Sequence, residues 1–295
     1  MNDLPLVLSV TTLGRIEPLR TLLRSLEGQL LARDRIVIVA QDRVEEVRTL
    51  AADFQASLGD RLRVGTSARG ASVGRNTGVT IGAGDLDDAL LMFPNDTTWF
   101  PEGALDAIRA GIRDAPAGAV TVMTSSGPRF VLPAGGTPLD AHTVWQVIEM
   151  GLVIRLGLFR RAGGFDEAIG TGAASPWQAG EVTDLLLRSL ATEPDLSRRF
   201  RWLSAQVGGV QEGSGLTAQD RAWKLRAYGR GIGHVYRTHR YSWARRWAFV
   251  VAGLLVGVRR PAEYRLRDGV PAFAGRWEGV TGRVAKQTDV KAVTR

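Results

Sequence analysis

The chain has 295 residues, 44% of them hydrophobic, with no cysteine and only three histidines, His142, His234 and His239. A sizeable core is within reach, wholesale disorder is disfavoured, and disulfides, thiolate metal sites and cysteine nucleophiles are excluded; so few histidines also argue against a structural zinc site. The net charge of +8 is uneven: residues 216–295 carry 17 Lys+Arg against 5 Asp+Glu, whereas residues 1–215 carry 21 against 25.

The opening MNDLPLVLSV has neither a basic start nor a long apolar run, so no signal peptide is expected and the chain reads as cytoplasmic. Pro5 to Thr11 reads as a buried strand. Leu19, Leu22, Leu23, Leu26 and Leu30 fall on one stripe of a helix over 17–31. Arg35 to Ala40 (RIVIVA) is a second buried strand ending in Gln41-Asp42, 44–58 a second helix and 61–66 a third strand. Strands that are apolar on both faces and alternate with helices predict an α/β fold with a doubly wound, mostly parallel sheet. Ligands of such sheets sit beyond the carboxyl ends of the strands, which puts Asp42 and Asp96 on one rim.

Residues 69–78, RGASVGRNTG, are glycine-rich and fit neither the phosphate-loop nor the dinucleotide spacing, so a structural turn before a helix or turn at 79–84 is the expectation. Leu90 to Phe93 reads as the end of a strand, and Pro94 breaks it. Asn95-Asp96-Thr97 then gathers three short oxygen-bearing side chains at the exit, which suits a hard cation or a sugar-phosphate; an ordinary polar turn is the alternative. Helix 101–113, strand 119–124, a loop or hairpin over 125–140, a short segment 142–149 and a strand 153–159 follow. Glu181 and Asp184 fall at or before the first turn of a helix running on from Leu185, where acidic residues commonly cap. Residues 200–210 suggest another strand pair. In WARRWAFVVAGLLVGVRR the uncharged run 247–258 is only 12 residues long. That is too short to span a bilayer, and its flanking arginines and tryptophans have the composition of an interfacial helix. A buried helix or a dimer contact remains the alternative.

Taken together, a strand ending in Asp42, the RGASVGRNTG segment, PNDT, and GTGAASPWQAGEVTDLLLR resemble the inverting family-2 glycosyltransferases of the GT-A fold over roughly residues 5–240. The resemblance implies a catalytic domain over 1–215, with a nucleotide-sugar half at 1–115 and an acceptor half at 116–215, and a basic helical extension at 216–295. It implies that Thr11, Leu13, Arg15, Asp42, Gly70, Arg75, Asn76, Asn95 and Asp96 line a UDP-, dTDP- or GDP-sugar. Asp96 would ligate Mg2+ or Mn2+, with Gln211 nearest the place where relatives carry a metal-binding His. Glu181 would be the general base and Asp184 its capping or orienting neighbour. Trp177 would stack on the acceptor, and Arg230 and His234 would sit in a loop over the diphosphate. PNDT departs from the family pattern, since Asn95 and Thr97 stand where relatives keep Asp. The implied activity is transfer to a glycan or lipid-linked acceptor in cell-envelope polysaccharide synthesis, peripheral to the inner membrane face. An anionic membrane surface or a second copy would be the partner of the basic extension. A non-catalytic nucleotide- or glycan-binding subunit scaffolding a membrane assembly is the alternative. No nucleic-acid module accompanies the basic charge, so nucleic acid is not expected as a partner.

Overall fold

Aliphatic and β-branched runs with no polar face become the inner strands of one sheet. In the computed structural model, which describes residues 4–210, 216–261 and 263–284, the chain divides into two units. The first comprises Met1–Glu167 with Glu181–Ser214, and the second Ala168–Gly180 with Gly215–Arg295. The excursion 168–180, assigned to the catalytic domain on sequence grounds, thus belongs with the carboxyl-terminal unit.

The first unit contains, in chain order, β1 (Leu6–Thr12), α1 (Ile16–Leu26), β2 (Arg35–Ala40), α2 (Val44–Asp53), α3 (Gln55–Leu58), β3 (Leu62–Thr66), α4 (Ala71–Ala83), β4 (Leu90–Met92), α5 (Ala104–Ile112), β5 (Ala117–Thr124), β6 (Gly127–Pro128), β7 (Leu152–Arg155), α6 (Leu156–Arg161), α7 (Glu181–Thr192), α8 (Leu196–Arg199) and β8 (Arg201–Val210). The strands form one sheet in the order β3-β2-β1-β4-β7-β5-β6, with β8 pairing β5. β1 pairs β2 and β4 in parallel, β2 pairs β3 in parallel, and β7 runs antiparallel to both β4 and β5. Alternate residues of β1 feed two cores, as the pleat requires. Leu6, Leu8 and Val10 pack with α1, α2 and α5, while Val7 packs with α4, α6 and α7 on the opposite face.

Three expectations change here. The glycine-rich stretch is not a turn but α4 itself. Gly74, Gly78 and Gly82 recur every four residues, and a Cβ on each would overlap Thr11, Ser9 and Val7 of β1 in turn. Glycine is a poor helix former, but here it lets the helix backbone lie almost on the strand. The predicted strand 153–159 splits into β7 and α6, because an apolar run buried on all sides carries no period to separate the two. Residues 201–210 form a single strand rather than a pair.

The second unit contains α9 (Ala218–Thr238), α10 (Trp243–Val251), α11 (Val256–Arg259) and α12 (Gly269–Thr281). Thr217 and Ser242 accept backbone N–H groups at the starts of α9 and α10. α9 and α12 meet along glycines: a Cβ on Gly233 would lie 2.8 Å from backbone atoms of Arg276 and Val280, and one on Gly229 3.0 Å from Arg276 N. Inside this seam Glu278, buried, accepts from both Arg226 and Arg230. The predicted single helix over 243–260 is therefore two helices joined by a turn at Ala252–Leu255. Among the described residues no helix is long and apolar enough to cross a membrane.

Candidate active site

The carboxyl ends of β1 and β4 lie side by side, and Thr11 bridges Asn95 just beyond them. Pro94 ends the ladder, and Asn95 is held in a tight turn by its N–H donating to Thr98 Oγ1 at 2.9 Å. This turn delivers Asp96 into a buried position, 2% exposed. Its carboxylate accepts from Thr12 Oγ1 at 2.7 Å and from Arg15 Nε at 3.1 Å, and a second Arg15 nitrogen takes the other oxygen. Thr12 Oγ1 in turn accepts from Gly14 N at 3.0 Å. Asp96 is thus fully engaged by one strand exit.

Beside it lies a second group centred on Arg75. The glycine seating of α4 against β1 places this guanidinium at the rim, 4% exposed. Arg75 Nη1 donates to Glu181 Oε1 at 2.9 Å, and Nη2 faces Asn95 Oδ1 at 3.4 Å and Glu149 Oε1 at 3.7 Å. Asn95 Nδ2 completes the ring by donating to Glu149 Oε1 at 2.9 Å. The Arg75 guanidinium also lies 5.5 Å from the centre of the Phe165 ring. Glu181 opens α7, so its carboxylate sits where the helix dipole favours negative charge. One buried cation therefore orients two carboxylates, one of which can receive a proton from a bound hydroxyl.

Glu149 was not singled out in the sequence. It enters from a 3-10 turn, Glu149–Gly151, and nothing in its neighbourhood marks it. Its partners Arg75 and Asn95 lie 74 and 54 residues away in sequence, so only the fold joins them.

Other expected site residues take different places. Asn76 is used up structurally: Nδ2 donates to Phe165 O at 2.9 Å and Glu167 Oε1 at 3.0 Å, and Oδ1 accepts Phe165 N at 3.0 Å. It clamps the GGFDE segment. Asp184, 3% exposed, pairs with Arg188 one turn on, and Arg188 also donates to the Ala162 and Gly164 carbonyls. Leu13 and Asp42 are exposed at the rim, Asp42 with Arg69 Nη2 at 3.4 Å. Gly70 stands just before α4, its φ of 132° one that glycine tolerates, and both its N–H and its carbonyl bond the Gln41 side chain. Thr11 Oγ1 is buried without a hydrogen-bond partner.

Trp177, Arg230 and His234 belong to the second unit. Trp177 stacks on His234 with ring centres 4.4 Å apart, and Arg237 lies 5.5 Å from the Trp177 ring centre. Trp177 thus has a stacking partner within its own unit. Arg230 and His234 lie within α9, not in a loop over a diphosphate, and Arg230 is buried on Glu278. The glycines that suggested a flexible loop are the contact points with α12.

Of the expected metal set, Asp96 alone lies among the described residues. Asp96 is the one carboxylate at its strand exit, and both its oxygens are taken by Arg15 and Thr12. Among the described residues no group of three or more His, Asp or Glu could hold a metal ion, and Gln211 lies outside the described residues. As arranged, the described residues offer a divalent ion Asp96 alone, with both its oxygens already bonded. A concavity of about 710 Å³ lined by Arg33, Arg35, Arg61 and Arg63 lies at the amino ends of β2 and β3. That is the end of a parallel sheet where ligands do not bind. Its Arg61 and Arg63 already serve backbone carbonyls.

No family model matches the sequence, and no curated protein does. Solved structures match in fold. The chain aligns with residues 1–349 of S. aureus TarS at 14% identity and a TM-score of 0.58, over 95% of this chain and 82% of that one. Against the same fragment in complex with UDP-GlcNAc the values are 11% and 0.56, over 94% and 92%. Against the mannosyltransferase PcManGT from Pyrobaculum calidifontis, in complex with GDP-Man and Mn2+, they are 12% and 0.61, over 96% and 89%. At such identities the likeness is one of fold. The α/β architecture expected from the sequence is the one these nucleotide-sugar-bound proteins share with this chain.

Proposed function

We propose that the first unit is the catalytic part of a nucleotide-sugar-dependent glycosyltransferase. It passes a sugar from a UDP-, dTDP- or GDP-sugar to a hydroxyl of a glycan or lipid-linked acceptor, with inversion, in cell-envelope polysaccharide synthesis. The observation that carries this reading is the Arg75 cluster: a buried guanidinium fixes Glu181 at the sheet rim where ligands of such folds bind. The shared fold with proteins solved with UDP-GlcNAc and GDP-Man supports it.

In this reading Glu181 takes the proton of the attacking hydroxyl. The hydroxyl oxygen bonds to the anomeric carbon as the carbon–oxygen bond to the diphosphate breaks, and the diphosphate leaves with the electron pair. Arg75 holds the Glu181 carboxylate in one orientation, and Asn95 and Glu149 hold Arg75. Asp96 aligns Arg15, whose side chain is 53% exposed, and that guanidinium supplies positive charge to the departing diphosphate. This role replaces the metal that the family resemblance implies.

Turnover of a panel of UDP-, dTDP- and GDP-sugars, with and without EDTA, tests the reading. Glu181→Gln is expected to lower kcat by about 10²–10⁴ with an unchanged circular dichroism spectrum, and a fully active variant would remove the base assignment. Activity is expected to survive EDTA; loss restored by Mn2+ would overturn the role given to Arg15. The already neutralised Asp96 also favours a second reading, a non-catalytic subunit that binds nucleotide or glycan. Calorimetric binding of UDP, GDP or dTDP with no turnover of any sugar donor would select it.

A further inference from the structure

The second unit carries an exposed apolar surface that its own core does not use. Eight of the fourteen large hydrophobic side chains exposed among the described residues lie between Trp243 and Trp277. Scattered single apolar residues are ordinary on a surface, but a concentration of this kind is not. Three close backbone approaches make it one patch. A Cβ on Gly257 would collide with Arg265, one on Gly269 with Leu254, and one on Gly253 would lie 2.8 Å from Phe273 N. These approaches set the backbone leading into Val258 (61% exposed) against that leading into Leu266 (72%), and the backbone of Leu254 (46%) against Gly269, which precedes Val270 (68%). The patch ends in aromatic rings: Trp243 (75% exposed) lies 5.8 Å from Trp247, which lies 5.0 Å from Trp277.

The charge around this patch is predominantly positive. Arg259, Arg260, Arg265 and Arg267 are all exposed beside it. Of the three acidic residues between 240 and 284, Asp268 and Glu278 are buried on Arg221, Arg226 and Arg230. The third, Glu263, faces Arg260 at 3.6 Å. Exposed apolar groups, tryptophans at one end and four exposed arginines against one exposed carboxylate match the interface of an anionic lipid bilayer. No helix here is long enough to cross one. A second copy of the chain would set these arginines against each other if it covered the patch by its own twofold mate.

We propose that this composite face, built from α10, α11, the turn before α12 and the start of α12, docks the protein on an anionic membrane surface by shallow insertion. The proposal does not depend on the activity of the first unit.

Sedimentation of the full chain with vesicles tests it. Phosphatidylcholine vesicles containing about a third phosphatidylglycerol are compared with phosphatidylcholine alone. The chain is expected to sediment with the anionic vesicles, at least tenfold more tightly than with the neutral ones, and to be released as salt is raised. Two variants separate the contributions: Val258→Glu with Leu266→Glu, and Arg259→Ser with Arg260→Ser, Arg265→Ser and Arg267→Ser. Each alters exposed side chains and is expected to keep the helical spectrum while weakening vesicle binding at least tenfold. Failure of the native chain to bind anionic vesicles would overturn the proposal. So would undiminished binding by either folded variant, or a dimer in solution that the Val258→Glu, Leu266→Glu variant abolishes while no vesicle is bound.

Discussion

Arg75 is the residue on which the candidate site turns. It is buried, and it faces Glu181 and Glu149 together while Asn95 links the second carboxylate back to the strand exit. Taking a buried cation from between two carboxylates leaves both uncompensated, and removal of one partner of a buried pair costs about 3–5 kcal/mol. Arg75→Ala is accordingly expected to lower thermal stability as well as activity, whereas Glu181→Gln, which keeps an acceptor oxygen for Arg75, is expected to spare stability. Differential scanning calorimetry of the two variants checks the contrast; equal melting temperatures for Arg75→Ala and the native chain would show the cluster to be loosely held. Asp96 illustrates how far a motif can be read. That PNDT turns out of a strand was legible from Pro94 and three short polar residues. That its carboxylate is captured by Arg15, 81 residues earlier, was not, because an exposed-looking arginine after a strand has many possible partners. Glu149 was illegible for the same reason.

At the scale of elements, the alternation of apolar runs with amphipathic stretches was enough to place β1, α1, β2 and β3, since RIVIVA admits little but a buried strand. The glycine-rich helices were misread, and both for one cause. Glycine has low intrinsic helix propensity, so RGASVGRNTG and YGRGIG look like turns. The gain that offsets this is tertiary: α4 settles on β1, and α9 on α12, at distances no Cβ permits. Gly78→Ala gives this account a quantity. In an exposed helix the change would stabilise by up to about 1 kcal/mol. Here the new methyl overlaps Ser9, so a destabilisation of about 1–3 kcal/mol is expected. A urea melt in which Gly78→Ala raises the midpoint would contradict the close-approach explanation.

At the scale of the whole molecule, each of the two units has buried ion pairs of its own. In the second, burial pushes the Glu278 carboxyl up, but hydrogen bonds from Arg226 and Arg230 outweigh it and hold the group below the ordinary 4.5. Burial likewise raises Asp268, and the Arg265 N–H and Arg221 more than compensate. Folded-state values below the unfolded ones mean that the ionised partners stabilise the fold above about pH 4.5 and that this contribution disappears as the pH falls through the depressed values. The α9–α12 pair is therefore expected to loosen on acidification below pH 4.5. Glu278→Gln should flatten that dependence in thermal melts followed from pH 7 to pH 3, and an unchanged slope would remove Glu278 from the account.

The excursion 168–180 has a consequence for the order in which the protein can be made. Gly180, with a φ of 103°, packs against Val235, and Trp177 stacks on His234, so this stretch has its partners in α9. Glu181 follows it directly in the chain. On a ribosome, residue 180 is complete while those partners are more than fifty residues from being synthesised. At about 5–20 residues per second, the lead-in to the candidate base waits on the order of several seconds for something to pack against. The strands and helices that surround Arg75 can gather before then, but the segment leading into Glu181 meets its own partners only as the basic carboxyl-terminal quarter emerges.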